Sequence, residues 1–345
     1  MAGSPHFKAL QGKRVEELFP GSLPAFQKMF PDEAACAAYL ERAIWPDGFV
    51  CQSCQWTGEP YRIATQPGVL RCRKCRRNTR LTAKTVMKDT HTPLSVWFWG
   101  AYLVSSLTPG ISAVQFQRQL GLTRYETAFQ ILHKLRAGMV RPGRDQIGGE
   151  SSMVHVEVDN TWVGGQTKGK GRGRHGLTLV SGAVEVHWRK RESSLNKRRQ
   201  GRYAGRIRLS VVQKGETLGT FIKAVVKPGT LVVTDGWNSG DSLRKAGYQH
   251  AAFPILGRPE EAEKYLPMIH LAFSNLKTWV RGIHHGVSPQ HLQTYLDEYT
   301  FRFNRRFHPF NAFRSLLGIA SSVRAPTYAE LYSGDWVPDK VDAPF

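Results

Sequence analysis

Four of the five cysteines fall into two close pairs, and this spacing restricts the fold more than any other feature of the sequence. Cys51 and Cys54 form the first pair, Cys72 and Cys75 form the second, and seventeen residues separate them. Two Cys-x-x-Cys pairs separated by about 15–20 residues are typical of a tetrahedral zinc site with four thiolate ligands. Four protein ligands leave no open coordination position, so we expect a structural Zn²⁺ ion in a small zinc ribbon.

Basic side chains crowd the second cysteine pair and suit contact with phosphate. They are Arg71, Arg73, Lys74, Arg76, Arg77 and Arg80. A solvated basic face without a partner is the alternative. The fifth cysteine, Cys36, has no cysteine nearby in the sequence, and we interpret it as a small buried side chain on a helix that Asp32 could cap.

The net charge indicates the kind of partner. Lys and Arg number 48 against 27 Asp and Glu, which gives a charge of +21 and a pI of about 10.0. Self-repulsion disfavours such a chain unless a polyanion offsets it, so nucleic acid is the expected partner. A basic ribosomal or membrane-surface protein is the alternative. No apolar run has the length of a membrane span and the start lacks a hydrophobic signal region, which favours an intracellular protein.

A helix-turn-helix is predicted after the ribbon. A helical pattern from Ile111 reaches a turn at Gly121, and a second helix follows a cap-like Thr123. Four residues would lead the recognition helix toward the major groove: Thr123, Arg124, Tyr125 and Thr127. A helical hairpin with glycine at its corner, without any DNA contact, is the alternative.

Two β-branched runs that stop at an aspartate define the second half of the chain. The first run begins at Val154 and ends at Asp159, and the second begins at Thr230 and ends at Asp235. Alternating apolar residues that break at glycine are typical of strands that present a side chain at a sheet edge. A single strand-end aspartate is more often part of a turn than a ligand, but two of them suggest one shared metal site.

The elements between these runs set the fold class. Strands are predicted at Leu177–Val186 and Arg206–Val212, and a helix at about Glu216–Val225. With the two aspartate-bearing runs they give a β-β-β-α-β order, the order of a ribonuclease-H-like mixed sheet with flanking helices. We therefore expect a multidomain α/β protein, in which the acids at the ends of the first and fourth strands lie side by side.

Asp159 and Asp235 would bind Mg²⁺ or Mn²⁺, because these hard cations prefer carboxylate oxygens. A pair of such ions supports in-line phosphoryl displacement. The third ligand is open: His270 shares a helix face with Lys277, and Asn275 is the next polar candidate. A packed or capping histidine is the alternative for His270. Glutamates occur earlier, at Glu260, Glu261 and Glu263.

Further basic residues would lie along a DNA backbone. A glycine-rich loop contributes Lys168, Lys170, Arg172 and Arg174, and a C-terminal helix contributes Arg302, Arg305 and Arg306. The expected domains are an N-terminal helical segment (1–45), the zinc ribbon (46–82), a helical DNA-binding segment (90–140), a ribonuclease-H-like catalytic domain (150–310) and a C-terminal tail (311–345).

The ordered motifs resemble one family over nearly the whole chain, the zinc-ribbon-bearing transposases of bacterial insertion sequences (the ISXO-type group of the DDE superfamily). The motifs that carry the resemblance are the cysteine pairs after 45–49, 157–159 with 164–165, 205–208, 234–237, 274–277, 284–286, 288–289, 291–292 and 301–306. Asp159 and Asp235 match the first two acids of the family, and Lys277 matches a basic residue after the third. Many relatives have glutamate at the register of His270, and an acid is common where this chain has Asn160.

The resemblance implies a core that cuts and joins DNA at element ends with Mg²⁺ or Mn²⁺. It also implies a homodimer or larger assembly on DNA in the bacterial cytoplasm, associated with the nucleoid. We therefore predict a DNA transposase that binds terminal inverted repeats. The main alternative is a catalytically inactive or domesticated transposase that only binds DNA. A zinc-ribbon transcription factor is a weaker alternative, because it leaves the two aspartates unexplained.

Overall fold

The computed structural model describes residues 20–141, 143–151, 153–164, 176–188, 201–236, 240–254, 261, 264–321 and 323–336. The chain divides into two compact units, one that runs up to Gly143 and resumes at Arg305, and one formed by Arg144–Asn304. Some sequence predictions lie outside the described residues: the first 19 residues of the N-terminal helical segment expected at 1–45, Gly165, Glu260, Glu263, and the loop cations Lys168, Lys170, Arg172 and Arg174.

The first unit begins with helices α1 (Leu23–Met29) and α2 (Glu33–Ile44). The Asp32 carboxylate accepts a hydrogen bond from the Ala35 amide at 2.8 Å, which confirms the predicted cap of α2. Cys36 is fully buried, and burial raises the pKa of its thiol to about 12. The thiol therefore stays protonated and packs as a small apolar group, as predicted.

A three-stranded antiparallel sheet follows. It contains β1 (Tyr61–Arg62), β2 (Val69–Arg71) and β3 (Asn78–Arg80), in the order β1-β2-β3. Strands of two or three residues bury too little apolar surface to be stable alone. The four cysteines around this sheet must therefore supply part of its stability.

Helix α3 (Leu94–Ser106) is buried over much of its surface, and α4 (Ala113–Gln119) and α5 (Tyr125–Ala137) follow it. The α4–α5 pair is joined through Gly121, whose φ of +61° favours glycine. The expectation that Thr123 caps α5 was wrong, because the residue at the cap position is Arg124 and it makes no side-chain capping bond.

The second unit is built on a five-stranded mixed sheet. Its strands are β4 (Val154–Gly164), β5 (Leu177–Trp188), β6 (Arg202–Val211), β7 (Leu231–Thr234) and β8 (Gln249–Ala252). The order is β6-β5-β4-β7-β8. The β6-β5-β4 part is antiparallel, whereas β7 and β8 run parallel to β4. This is the ribonuclease-H-like arrangement that the β-β-β-α-β order predicts.

Strand β4 does not end at Asp159. It continues for five residues to Gly164 and pairs with β5 along its whole length. The residues after Asp159 still alternate between buried and less buried positions, so they fit a pleated strand. The expectation of a strand end at Asp159 was therefore wrong, whereas β7 does stop one residue before Asp235.

Helices cover both faces of this sheet. Side chains of Val156 and Val158 pack toward α6 (Leu218–Val225) on one face, and a short α7 (Gly240–Lys245) follows β7. On the other face lie α8 (Pro267–His284) and, after a 3-10 turn, α9 (Leu292–Arg305). The face that carries α8 also carries the odd-numbered residues of β4, including Asp159, because strand side chains alternate.

The segment after residue 305 returns to the first unit. It forms α10 (Pro309–Ala320) and α11 (Tyr328–Ser333), which pack against α3 and α5 respectively. The Val86 amide donates to the Ala320 carbonyl at 2.9 Å. The segment expected to be a C-terminal tail (311–345) thus holds most of α10 and all of α11, which belong to the first unit. No helix in the described ranges is long and apolar enough to cross a membrane.

Candidate metal-binding and catalytic sites

The sulfur atoms of the two cysteine pairs converge at one end of the ribbon. The Sγ atoms of Cys51 and Cys75 lie 3.6 Å apart, and those of Cys54 and Cys72 lie 3.7 Å apart. All four lie within 4.8 Å of one another. A tetrahedron with zinc–sulfur bonds of about 2.3 Å has sulfur–sulfur edges of about 3.8 Å, so these residues fit a zinc ion.

The two pairs have the same backbone geometry. In each, the residue after the second cysteine adopts a left-handed conformation, Gln55 at φ 55° and Arg76 at φ 62°. Their amides donate to the carbonyls of Cys51 and Cys72, at 3.0 and 3.1 Å. This repeated turn brings both sulfurs of a pair to the same side, which explains why two residues separate them.

The basic residues predicted around the second pair are all exposed. The guanidinium groups of Arg73 and Arg76 lie over the ring of Tyr61, with distances of 4.5 and 5.3 Å to its centroid. Arg77 donates to the hydroxyl of Ser53 at 2.8 Å. Cation–π and hydrogen-bond contacts hold these cations on one ribbon surface and leave them accessible to an anion.

The start of α5 is also exposed. Thr123, Arg124 and Tyr125 are accessible, and Thr127 is half-buried. The arginines predicted to contact phosphate near the end of α9 are less accessible. Arg302 keeps only 14% of its side chain exposed and forms an ion pair with buried Glu298 at 3.4 Å. Arg305 and Arg306 are half-buried.

Asp159 and Asp235 lie at matching positions of neighbouring parallel strands. The β4–β7 register pairs Glu157 with Val233, and two further residues along each strand bring Asp159 beside Asp235. Burial and the negative charge of Asp159 raise the pKa of the Asp235 carboxyl above its usual value. The two acids therefore repel each other, as expected where two carboxylates face one cation.

A histidine from α8 completes this corner. The Nε2 atom of His270 lies 3.1 Å from Oδ2 of Asp159, and Oδ1 of Asp159 accepts from the Asn160 amide at 2.7 Å. The hydrogen bond with Asp159 raises the pKa of His270, although burial opposes this effect. The negative charge of Asp235 also raises the pKa of His270, and His270 in turn lowers that of Asp235, so the three side chains interact electrostatically.

The donor set of Asp159, Asp235 and His270 fits a divalent cation chemically, since carboxylate oxygens and imidazole nitrogen both ligate Mn²⁺ and Mg²⁺ favours the oxygens. Among the described residues, the four cysteines are the one group of three or more His, Cys, Asp or Glu side chains whose ligand atoms already lie close enough together to hold a metal ion.

The other candidates on α8 differ in position. Lys277 is seven residues after His270 and shares its face, whereas Asn275 is exposed about 140° away around the helix. Lys277 lines a shallow pocket with Val280, Arg281, Leu177 and the last three residues of β4. Burial and the neighbouring Arg281 charge lower the pKa of Lys277. The two neighbouring cations of this pocket could hold an anion.

Two residues at this corner received no role from the sequence. Glu157 lies on the same face of β4 as Asp159 and is fully buried, and Arg281 lies one turn after Lys277. The two-residue spacing from Asp159 was the available signal for Glu157, because side chains at i and i+2 of a strand share a face. Asn160 faces away from Asp159 and accepts from the Ser181 hydroxyl at 2.7 Å.

Comparison with known families identifies the class of protein that carries this fold and these two sites, the DNA transposases. Residues 149–304 match the family described as the ISXO2-like transposase domain, and residues 31–78 match the transposase zinc-ribbon domain. The chain thus belongs to the zinc-ribbon insertion-sequence transposases of the DDE superfamily. No curated protein and no solved structure matched the chain.

Proposed function

We propose that this protein is an insertion-sequence transposase that binds the terminal inverted repeats of its element and catalyses metal-dependent DNA cleavage and strand transfer. The observation that carries the proposal is the convergence of Asp159 from β4, Asp235 after β7 and His270 from α8. Lys277 is assigned the phosphate beside the reacting one, and His270 is favoured over Asn275 as the third ligand because Asn275 is exposed and faces away from His270 on α8.

Asp159 and Asp235 would hold Mg²⁺ or Mn²⁺, which when bound activates the attacking oxygen and stabilises the leaving oxygen. The negative charges of the two carboxylates would offset the positive charge of the cation. The His270 imidazole keeps the Asp159 carboxylate oriented. In cleavage, water loses a proton and attacks phosphorus, the P–O3′ bond breaks, and the 3′ oxygen leaves as a hydroxyl after taking a proton. In strand transfer, that hydroxyl loses its proton and attacks a target phosphodiester, whose own P–O3′ bond breaks and whose 3′ oxygen leaves as a hydroxyl after taking a proton.

DNA would be held by the first unit. The exposed Arg73, Lys74, Arg76 and Arg77 on the ribbon, and the exposed start of α5, fit contacts to phosphates and to the major groove. The loop cations between residues 168 and 174 are assigned to phosphates from sequence alone. A dimer or larger assembly on the bacterial nucleoid follows from the need to pair two element ends. Zn²⁺ bound by the four cysteines is assigned a structural role.

The direct experiment is cleavage and strand transfer with purified protein, oligonucleotides that carry the inverted repeats flanking its gene, and added Mg²⁺ or Mn²⁺. Asp159→Asn and Asp235→Asn should abolish both reactions and leave DNA binding intact. Asp241→Asn is a matched control, since Asp241 is an exposed acid of the same unit on α7. Cleavage by both site variants at the wild-type rate would exclude this assignment.

A second candidate is a DNA-binding protein that has lost catalysis. One observation favours it: a histidine, which neutralises less charge than a carboxylate, stands where the ligand set needs a third group. Sequence-specific binding to inverted repeats without nicking at any Mn²⁺ concentration would support this candidate.

A further inference from the structure

Glu157 makes a contact that links the catalytic strand to the helix facing it. Its side chain is fully buried, and Oε2 accepts hydrogen bonds from the backbone amides of Met268 and Ile269, both at 2.8 Å. These amides belong to the first turn of α8. The bonds join residues more than one hundred positions apart in the sequence.

Helix α8 has no local substitute for this contact. Its own cap residue, Leu266, provides no capping side chain, and its first turn contains no acidic residue. The first amides of a helix need acceptors, and the positive end of the helix dipole favours a carboxylate. Glu157 meets both needs from the strand, so the start of α8 is tied to one point of β4.

That point is two residues from Asp159 on the same strand face, a step of about 7 Å. On the helix, His270 directly follows Ile269, whose amide Glu157 binds. The anchored turn therefore delivers His270 to the Asp159 carboxylate, which it meets at 3.1 Å. The second oxygen of Glu157 has no hydrogen-bond partner within the described residues, and Nε2 of His155 lies 3.8 Å from it.

We propose that Glu157 is a positioning residue, which fixes the first turn of α8 so that His270 faces Asp159 and the metal ligands are held in register. This inference rests on the proposed function, because it assigns His270 to the metal site. Glu157 does not touch the reacting atoms in this assignment. It acts through α8, as groups behind metal ligands commonly do.

The test compares Glu157→Ala and Glu157→Gln with the wild-type chain. A glutamine oxygen can still accept both amide bonds, so Glu157→Gln should keep near wild-type behaviour. Glu157→Ala should speed hydrogen exchange in the peptide that begins α8. It should also raise the Mn²⁺ concentration for half-maximal nicking by about 10-fold or more, the usual effect of losing a group behind a ligand.

A matched control separates positioning from general destabilisation. Val232→Ala also removes a fully buried side chain from this sheet, but Val232 packs on the face opposite α8. It should lower the melting temperature without changing the Mn²⁺ requirement. A Mn²⁺ requirement of Glu157→Ala equal to that of the wild type, or equal shifts in Glu157→Ala and Val232→Ala, would overturn the inference.

The double variant Glu157→Ala/His270→Ala identifies the path. Removal of Glu157 should have no further effect on the Mn²⁺ requirement once His270 is absent, and a full additional shift would refute action through His270. Failure of the proposed function would be recognised by a different result. If the wild-type chain never nicks DNA with metal while exchange at α8 still depends on Glu157, the anchor is supported and the transposase assignment is not.

Discussion

The imidazole of His270 and the carboxylate of Asp159 lie 3.1 Å apart, although the two residues are 111 positions apart in the sequence. The contact joins the central strand of the sheet to the helix that crosses it. A cation bound by Asp159 would also lie close to His270. Substitution of His270 is therefore the most direct test of which residue is the third metal ligand.

Replacement of His270 should test that position. We expect His270→Ala to lower metal-dependent nicking by about 10- to 100-fold. His270→Glu should retain nicking and lower the Mg²⁺ concentration for half-maximal rate, because a carboxylate neutralises more of the cation charge. Asn275→Ala, on the same helix but facing away, should behave as wild type. Equal rates for His270→Ala and Asn275→Ala would remove His270 from the site.

The same pair predicts a pH dependence of stability without Mg²⁺ or Mn²⁺. The hydrogen bond with Asp159 raises the pKa of His270 in the folded state. Its stabilisation is therefore fully present below the unfolded pKa of about 6.5 and is lost as pH rises through the folded value. The melting temperature of zinc-loaded wild type should exceed that of His270→Gln at pH 5.5, and the difference should shrink by pH 9. A difference that grows with pH would contradict this linkage.

Gly182 is expected to set the distance between α8 and the sheet. It pairs with Asp159 across β4 and β5, and a Cβ atom there would lie 2.6 Å from Cε1 of Phe273. Gly182→Ala should cost about 1–3 kcal/mol of unfolding free energy and reduce nicking, because α8 must move away from Asp159.

The control for this change lies on α8 itself. A Cβ added at Gly282 meets nothing within 4 Å, so Gly282→Ala should stabilise the helix by up to about 1 kcal/mol. Adding Phe273→Leu to Gly182→Ala should recover part of the lost stability and activity. Chemical denaturation and nicking assays together would detect failure of either expectation.

The cysteine cluster predicts one zinc ion per chain. Cys72→Ser should remove bound zinc and destabilise the first unit, since its short strands depend on the ion. Cys36→Ala should keep full zinc content, because Cys36 lies on α2 and outside the cluster. Zinc measured by elemental analysis and released thiols measured by titration would distinguish them. Equal zinc loss in both variants would contradict the four-cysteine assignment.

The pocket beside Lys277 predicts a phosphate contact. Neither Lys277 nor Arg281 has an ion-pair partner within the described part of the chain. Lys277→Met and Arg281→Met should each weaken DNA binding and reduce the slope of log affinity against log salt by about one. Lys214→Met, an exposed cation elsewhere in the same unit, serves as control. Unchanged slopes for both pocket variants would exclude the contact.

Local signals in the sequence predicted much of this molecule. The cysteine spacing and the order of the β-rich runs are patterns of residues that are close in sequence. The predictions made from them are confirmed by the converging sulfur atoms and by the mixed sheet. Asp235 follows the end of β7 as expected. The glycine after it is required locally, because Gly236 has a φ of +80° and a Cβ atom there would lie 3.0 Å from the Cα of Pro254. The roles of these residues in catalysis stay predictions.

Long-range contacts account for what sequence reasoning missed. Nothing near Glu157 in the sequence indicates that it meets amides beyond residue 266, and nothing near Arg302 indicates its buried position, except Glu298 four residues earlier. Strand β8, Gln249–Ala252, has only four residues with little hydrophobic pattern, and pairing with β7 defines it. Such elements are fixed by neighbours that the sequence does not place beside them.

The path of the chain through the two units has a consequence for synthesis. The first unit contains residues that come before the second unit in the sequence and residues that come after it. Within the first unit, the Ala320 carbonyl of α10 accepts a hydrogen bond from the Val86 amide. On the ribosome, all of Arg144–Asn304 emerges before α10 does. The sheet that carries Asp159 and Asp235 can thus finish folding before the last helices of the first unit have been synthesised. Chains broken off before residue 309 would carry a complete sheet and an incomplete ribbon unit.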